Sequence, residues 1–202
     1  MPVPSTILFL PGALGRRGFW QPAAARLTHP ARHVHVAWPG FDGAPADPAI
    51  HCLDDLAARL ADGIDGPTAL VAQSMGGVVA VLTALRKPEH ITHLVLSVTS
   101  GGIDLRGLGA ADWRPAVRAE HPALPDWFLA HQEDLAPRLP QLAMPALLLW
   151  GDADPISPVA AGERLAALLP RARLHVVAGG GHDLGCARAD EVAPLIDAHL
   201  QA

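Results

Sequence analysis

The stretch Ala72-Gln73-Ser74-Met75-Gly76-Gly77 follows the apolar run Thr68-Ala69-Leu70-Val71 and precedes a second run from Val78 to Leu85. A strand that delivers a serine onto a tight turn and then enters a helix presents its hydroxyl as a nucleophile. Such a turn forces the serine into an uncommon backbone conformation, so the residues two before and two after it must be small. Ala72 and Gly76 meet that requirement. A serine hydroxyl becomes a useful nucleophile when a base takes its proton and an acid orients the base. Two downstream segments offer such groups. Gly151-Asp152-Ala153-Asp154-Pro155-Ile156-Ser157-Pro158 carries two carboxylates directly after the apolar run Pro145 to Trp150. Gly179-Gly180-Gly181-His182-Asp183 carries an imidazole directly after Leu174 to Ala178. Serine, carboxylate and imidazole together can carry out acyl transfer through a covalent intermediate.

These groups become neighbours only if the elements before them end on one side of the molecule. Each follows the C-terminal end of a predicted strand, and in an open parallel sheet the loops leaving those ends share the face where ligands bind. The chain has the required alternation. Strand candidates begin near Thr6, Val34, Thr68, His93, Ala146 and Leu174, and helix candidates are Trp20 to Leu27, Leu53 to Ile64, Gly76 to Arg86, Val159 to Leu169 and Asp190 to Leu200. Alternating strands and helices predict a mostly parallel sheet of about six strands with helices on both faces. The segment Phe41 to Pro48, rich in Gly, Pro and Asp, reads as a loop, and no internal repeat is present. Between the fourth and fifth strands the alternation breaks. Residues 103–142 form an insertion long enough for two or three short helices, holding Leu105, Leu108, Trp113, Val117, Leu124, Trp127, Phe128 and Leu129.

With Gln73-Ser74-Met75-Gly76-Gly77, the Gly151 to Pro158 run and Gly181-His182 in place, the chain resembles the α/β-hydrolase family over nearly its whole length. Ala72 stands where the family's G-x-S-x-G pattern has its first glycine. The resemblance implies a single domain over 1–202, with 103–142 as a small cap over the active site and the family's first two strands missing. It implies catalytic Ser74, Asp154 and His182, with Asp152 as the reserve acid, and an oxyanion hole formed by the backbone N–H groups of Ala13 and Met75. Pro11 replaces the histidine that relatives commonly carry in the loop from Pro11 to Trp20, but the donor there is main chain. Trp20, Trp113, Trp127, Phe128 and Arg16 are the expected pocket residues, and Trp38-Pro39-Gly40-Phe41 resembles a loop that often borders the active site. The implied activity is a serine hydrolase cleaving a carboxylic ester. Thioesterase action, or lyase and carbon–carbon hydrolase chemistry like that of menaquinone-pathway relatives, is the alternative on the same residues. Arg16 and Arg17 would favour the lyase reading if they clamped an anionic substrate group. An alternative of another class is a small-molecule receptor built on this fold. Serine at position 74 excludes the relatives that use an aspartate nucleophile.

Composition fits this picture. The 202 residues are enough for one sizeable core. Half of them are hydrophobic, yet no apolar run approaches the roughly 18 residues of a membrane span. A net charge of −5, spread without blocks, argues against nucleic acid or an anionic membrane as partner. Cys52 and Cys186 lack metal-ligand spacing and do not make a disulfide framework. His33 and His35 alternate along a strand without a third ligand. The expectation is a cytoplasmic protein without leader segment, metal or cofactor, acting on a small-molecule ester as a monomer or homodimer.

Overall fold

The computed structural model of the chain describes residues 2–130 and 133–201, so residues 131 and 132 of the expected insertion lie outside the described residues. Six strands form one sheet: β1 (Thr6–Leu10), β2 (Arg32–His35), β3 (Thr68–Gln73), β4 (Ile91–Ser97), β5 (Ala146–Gly151) and β6 (Ala172–Val177). Their order is β2-β1-β3-β4-β5-β6 and every neighbouring pair is parallel. Strands covered by helices on both faces read as continuous apolar runs. β3, β4 and β5 do so and are buried at every position, whereas β2 and β6, at the edges, alternate or stay partly exposed.

The chain leaves β1 toward one edge, forms β2, and returns past β1 to form β3. The strand order therefore reverses between β1 and β3, and the crevice beyond their carboxyl ends is where ligands bind in sheets of this kind. Gly12-Ala13 and Ser74 are the residues that follow those two ends.

The seven helices among the described residues are α1 (Gln21–Ala24), α2 (Leu53–Asp62), α3 (Met75–Arg86), α4 (Arg114–Glu120), α5 (Val159–Leu168), α6 (Leu184–Ala187) and α7 (Ala189–Leu200). α2 pairs with α3, which lies against β1, β3 and β4; α1, α6 and α7 pack together, with α7 against β4 and β5. α1 is shorter than the predicted Trp20 to Leu27. The chain leaves it through tightened turns, Arg26 N–H to Ala23 O and Leu27 N–H to Ala24 O, because the next two N–H groups, of Thr28 and His29, donate to the Asp197 carboxylate on α7.

Residues 103–142 hold α4, a 3₁₀ turn at Trp127–Ala130 and another at Leu139–Gln141. No residue of α4 is buried. Among the described residues, Leu135 N–H donates to Gly102 O (2.8 Å), Ala111 N–H donates to Pro155 O (2.8 Å), and Trp127 and Phe128 pack on Phe41. Among the described residues no helix is long and apolar enough to cross a membrane.

Candidate active site

Ser74 stands between β3 and α3 with φ 52° and ψ −122°. That left-handed backbone costs a non-glycine residue about 1–3 kcal/mol and persists only where the surroundings enforce it. Here both main-chain polar groups of the serine are held. Its N–H donates to Ser97 O (3.0 Å), and its carbonyl accepts from Gly77 N–H (2.9 Å) and from the Thr99 hydroxyl (2.6 Å). The small residue at position 76 is required by the end of β1, since a Cβ on Gly76 would stand 2.5 Å from Pro11 O and 2.8 Å from Leu10 O.

The two other groups arrive from loops knitted to each other. Ala153 N–H donates to Gly180 O (3.0 Å), and the Asp152 carboxylate accepts from Gly179 N–H (2.6 Å). Asp152 thus braces the histidine loop, and Asp154 is the carboxylate that reaches the imidazole. Its side chain is fully buried; Oδ1 accepts from Ile156 N–H (2.8 Å) and Ser157 N–H (3.2 Å), and Oδ2 lies 2.7 Å from His182 Nδ1. The opposite ring nitrogen, Nε2, lies 3.0 Å from Ser74 Oγ. A carboxylate only accepts, so Nδ1 carries the hydrogen and Nε2 presents a lone pair to the serine hydroxyl.

The loop after β1 closes the crevice. Trp20 Nε1 donates to Leu10 O (3.0 Å) and Trp38 Nε1 to Pro11 O (3.1 Å), so two buried indoles fix the carbonyls that precede Gly12-Ala13. The Ala13 N–H makes no hydrogen bond within the described residues, and the N–H of Met75, at the start of α3, has no partner inside its helix. Trp20, expected in the pocket, is 1% exposed and packs against Phe9, Phe19 and Gly185, so it braces the loop.

Arg16 is exposed, while Arg17 donates through Nε to His35 O (3.2 Å) and through its main-chain N–H to Asp42 (3.3 Å). Trp113, Trp127 and Phe128 gather around Phe41: the Phe41 ring lies 5.3 Å from Phe128 and 5.7 Å from Trp127, and Trp113 stacks on Phe128 at 6.1 Å. Among the described residues no group of three or more His, Cys, Asp or Glu side chains is arranged to hold a metal ion.

The family follows from sequence comparison. A profile described as alpha/beta hydrolase family matches residues 7–128, and one described as alpha/beta hydrolase fold matches residues 111–185. The chain belongs to the alpha/beta hydrolase family. This hydrolase is 27% identical over 222 residues to the pimeloyl-[acyl-carrier protein] methyl ester esterase of Nitrosomonas europaea, an alignment that covers 87% of this chain and 88% of that protein. It is 29% identical over 247 residues to polyketide synthase ThaQ of Burkholderia thailandensis, covering 96% of this chain but only 12% of that much longer protein. Among solved structures, a thermophilic esterase from Thermogutta terrifontis superposes with a TM-score of 0.77 at 21% identity, covering 97% of this chain and 89% of its own. The carboxylesterase CesB of Bacillus subtilis does so with a TM-score of 0.78 at 19% identity, covering 98% and 84%. At those identities the two structures establish the fold, which is the expected one.

Three residues that hold the site were not assigned that role from the sequence: Gln73, Thr99 and Trp38, the last read only as part of a loop bordering the site. Each bonds a main-chain carbonyl, and the residue types alone do not reveal which carbonyl the topology will bring near.

Proposed function

We propose that this hydrolase cleaves a carboxylic ester through an acyl-enzyme. Ser74 Oγ attacks the carbonyl carbon while its proton passes to His182 Nε2, and the charge on the carbonyl oxygen is met by the N–H groups of Ala13 and Met75. Collapse of the tetrahedral species breaks the ester bond, and the departing alcohol takes the proton from Nε2. Water then attacks the acyl-serine, again losing a proton to Nε2, and as the acyl–oxygen bond breaks that proton passes to Ser74 Oγ, releasing the acid and restoring the free serine. Asp154 keeps the imidazole in its working tautomer and stabilises it when positively charged. The observation that carries the reading is the unbroken hydrogen-bond chain from Ser74 through His182 to Asp154, assembled from three loops far apart in sequence.

Residues 103–142 serve in this reading as a small cap within a single domain spanning 1–202, with Trp113 and Trp127 nearest the substrate and Phe128 packed between Phe41 and Trp113. In this reading the enzyme works in the cytoplasm, where its two free cysteines, Cys52 and Cys186, stay reduced. Similarity to a pimeloyl-[acyl-carrier protein] methyl ester esterase favours a second reading of the substrate, an ester on an acyl chain borne by a carrier.

Turnover of p-nitrophenyl esters from acetate to octanoate, with labelling by a fluorophosphonate, tests the proposal. Wild-type protein is expected to turn over and to carry one adduct on Ser74, and Ser74→Ala to do neither. Turnover retained by folded Ser74→Ala would overturn it.

A further inference from the structure

Resting on that reading, we infer that Gln73 is a positioning residue that sets the imidazole of His182 relative to the nucleophile. Gln73 ends β3 and immediately precedes Ser74, and it is 5% exposed. Its Nε2 donates to the main-chain carbonyl of His182 (3.0 Å). The orientation of the amide is fixed by chemistry, because a reversed side chain would set two carbonyl oxygens against each other. The other end of the amide lies over the loop after β1: a Cβ on Gly12 would stand 2.2 Å from Gln73 Oε1. One side chain therefore spans the serine strand, the histidine loop and the loop proposed to hold the oxyanion.

The histidine loop is otherwise fastened to the aspartate loop, through Gly180, Gly179 and the His182–Asp154 contact itself. Those bonds fix the imidazole relative to its acid, while its position relative to the serine rests on the strand ladder from β3 to β6 and on the contacts made at the serine itself. Among the described residues, only two hydrogen bonds join β3 and the start of α3 to the histidine loop, the one from Gln73 and the one between Ser74 and His182. The second must break and reform during turnover, since the serine hydroxyl loses its proton and its oxygen then becomes the ester oxygen of the acyl-enzyme. The Gln73 bond uses no reacting atom, so it can hold the register of base and nucleophile throughout the cycle. Proton transfer is steep in distance, and a displacement of about 1 Å costs on the order of a hundredfold in rate.

The test replaces Gln73 with leucine, of similar size without a donor, and with histidine, whose Nε2–H lies at the same bond count from Cα. Sites are counted with a fluorophosphonate, and kcat and KM for p-nitrophenyl acetate are measured per titrated site beside thermal melts. Gln73→Leu is expected to lose about tenfold to a hundredfold in kcat with KM changed less than about twofold, and to be labelled more slowly in the same proportion. Gln73→His is expected to recover much of both. A purely packing role would lower the melting temperature and leave kcat per site intact, and that result overturns the inference. So does a folded Gln73→His no better than leucine; should the leucine variant fail to fold, a folded Gln73→His that loses about a hundredfold or more in kcat per site against wild type overturns it instead. An active wild type with inactive Ser74→Ala, beside an unaffected Gln73→Leu, would remove Gln73 alone. Activity in Ser74→Ala would remove the serine mechanism itself.

Discussion

Asp152 and Asp154 stand two residues apart in one loop, and their surroundings divide the labour. Asp154 is fully buried, with Oδ1 occupied by two main-chain N–H groups, so only Oδ2 is free to meet His182. Asp152 is exposed and accepts from Gly179 N–H, a bond that asparagine can keep through its amide oxygen. Asp154→Asn is therefore expected to lower kcat by about 10⁴, because the retained acceptor Oδ1 turns the amide NH₂ toward Nδ1 and forces the wrong tautomer. Asp152→Asn is expected to stay within about tenfold of wild type, since the loop keeps its brace and the imidazole its acid. Comparable losses in both variants, measured per titrated site on p-nitrophenyl acetate, would contradict the division. Ser74, the two aspartates and His182 were legible in the sequence because their types and strand-end positions restrict what they can do. Gln73 and Thr99 were not, because their partners, the carbonyls of His182 and Ser74, are positions that every residue type supplies.

In the proposed reading the segment between β4 and β5 shapes access to Ser74, and its two adjacent aromatics occupy different environments. Phe128 is 4% exposed, touching Phe41 on one side and stacked on Trp113 on the other. Trp127 is only half-buried, with one edge against Phe41. Phe128→Ala should act through stability, at roughly 3–5 kcal/mol for a buried phenylalanine, with rate losses equal across acyl lengths. Trp127→Ala should act through substrate, with a loss in kcat/KM that grows by about 0.8 kcal/mol per methylene it covers. Equal losses on acetate and octanoate for Trp127→Ala would make it packing as well, and the pocket would have to lie elsewhere. The strands were read from the sequence to within a few residues, because buried parallel strands are continuous apolar runs bounded by glycine and proline. The contents of 103–142 were not. α4 buries nothing and so carries no helical apolar stripe, and the 3₁₀ turns are too short for periodicity to show.

At the scale of the whole molecule, the sheet's order and the crevice between β1 and β3 follow from strand alternation and a single reversal, which is why so much of the architecture was readable beforehand. What was not readable is the seam where the sheet meets the last helix. His93 on β4 and His199 on α7 pack edge to face at 5.2 Å, and His199 Nε2 contacts Leu94 O at 3.0 Å. Burial, above all, lowers both to about 4, helped at His93 by the nearby charges of His29 and Arg171 and at His199 by those of His93 and Arg173. In the unfolded chain each returns to a pKa of about 6.5. Between pH 6.5 and 4 the unfolded state therefore binds more protons than the folded one, and stability must fall as pH falls through that window. Above about pH 6.5 both states hold neutral histidines and the contribution is complete. The two sites interact, since charging one opposes charging its neighbour, so their effects are not additive. Urea midpoints are expected to drop steadily from pH 6.5 toward 4, while His93→Phe, which removes a titrating group and its unpartnered Nε2 but keeps an aromatic ring, should flatten the slope. An equally steep profile in His93→Phe and in a matching His199 variant would mean that other groups carry the acid sensitivity and that this seam stays closed at low pH.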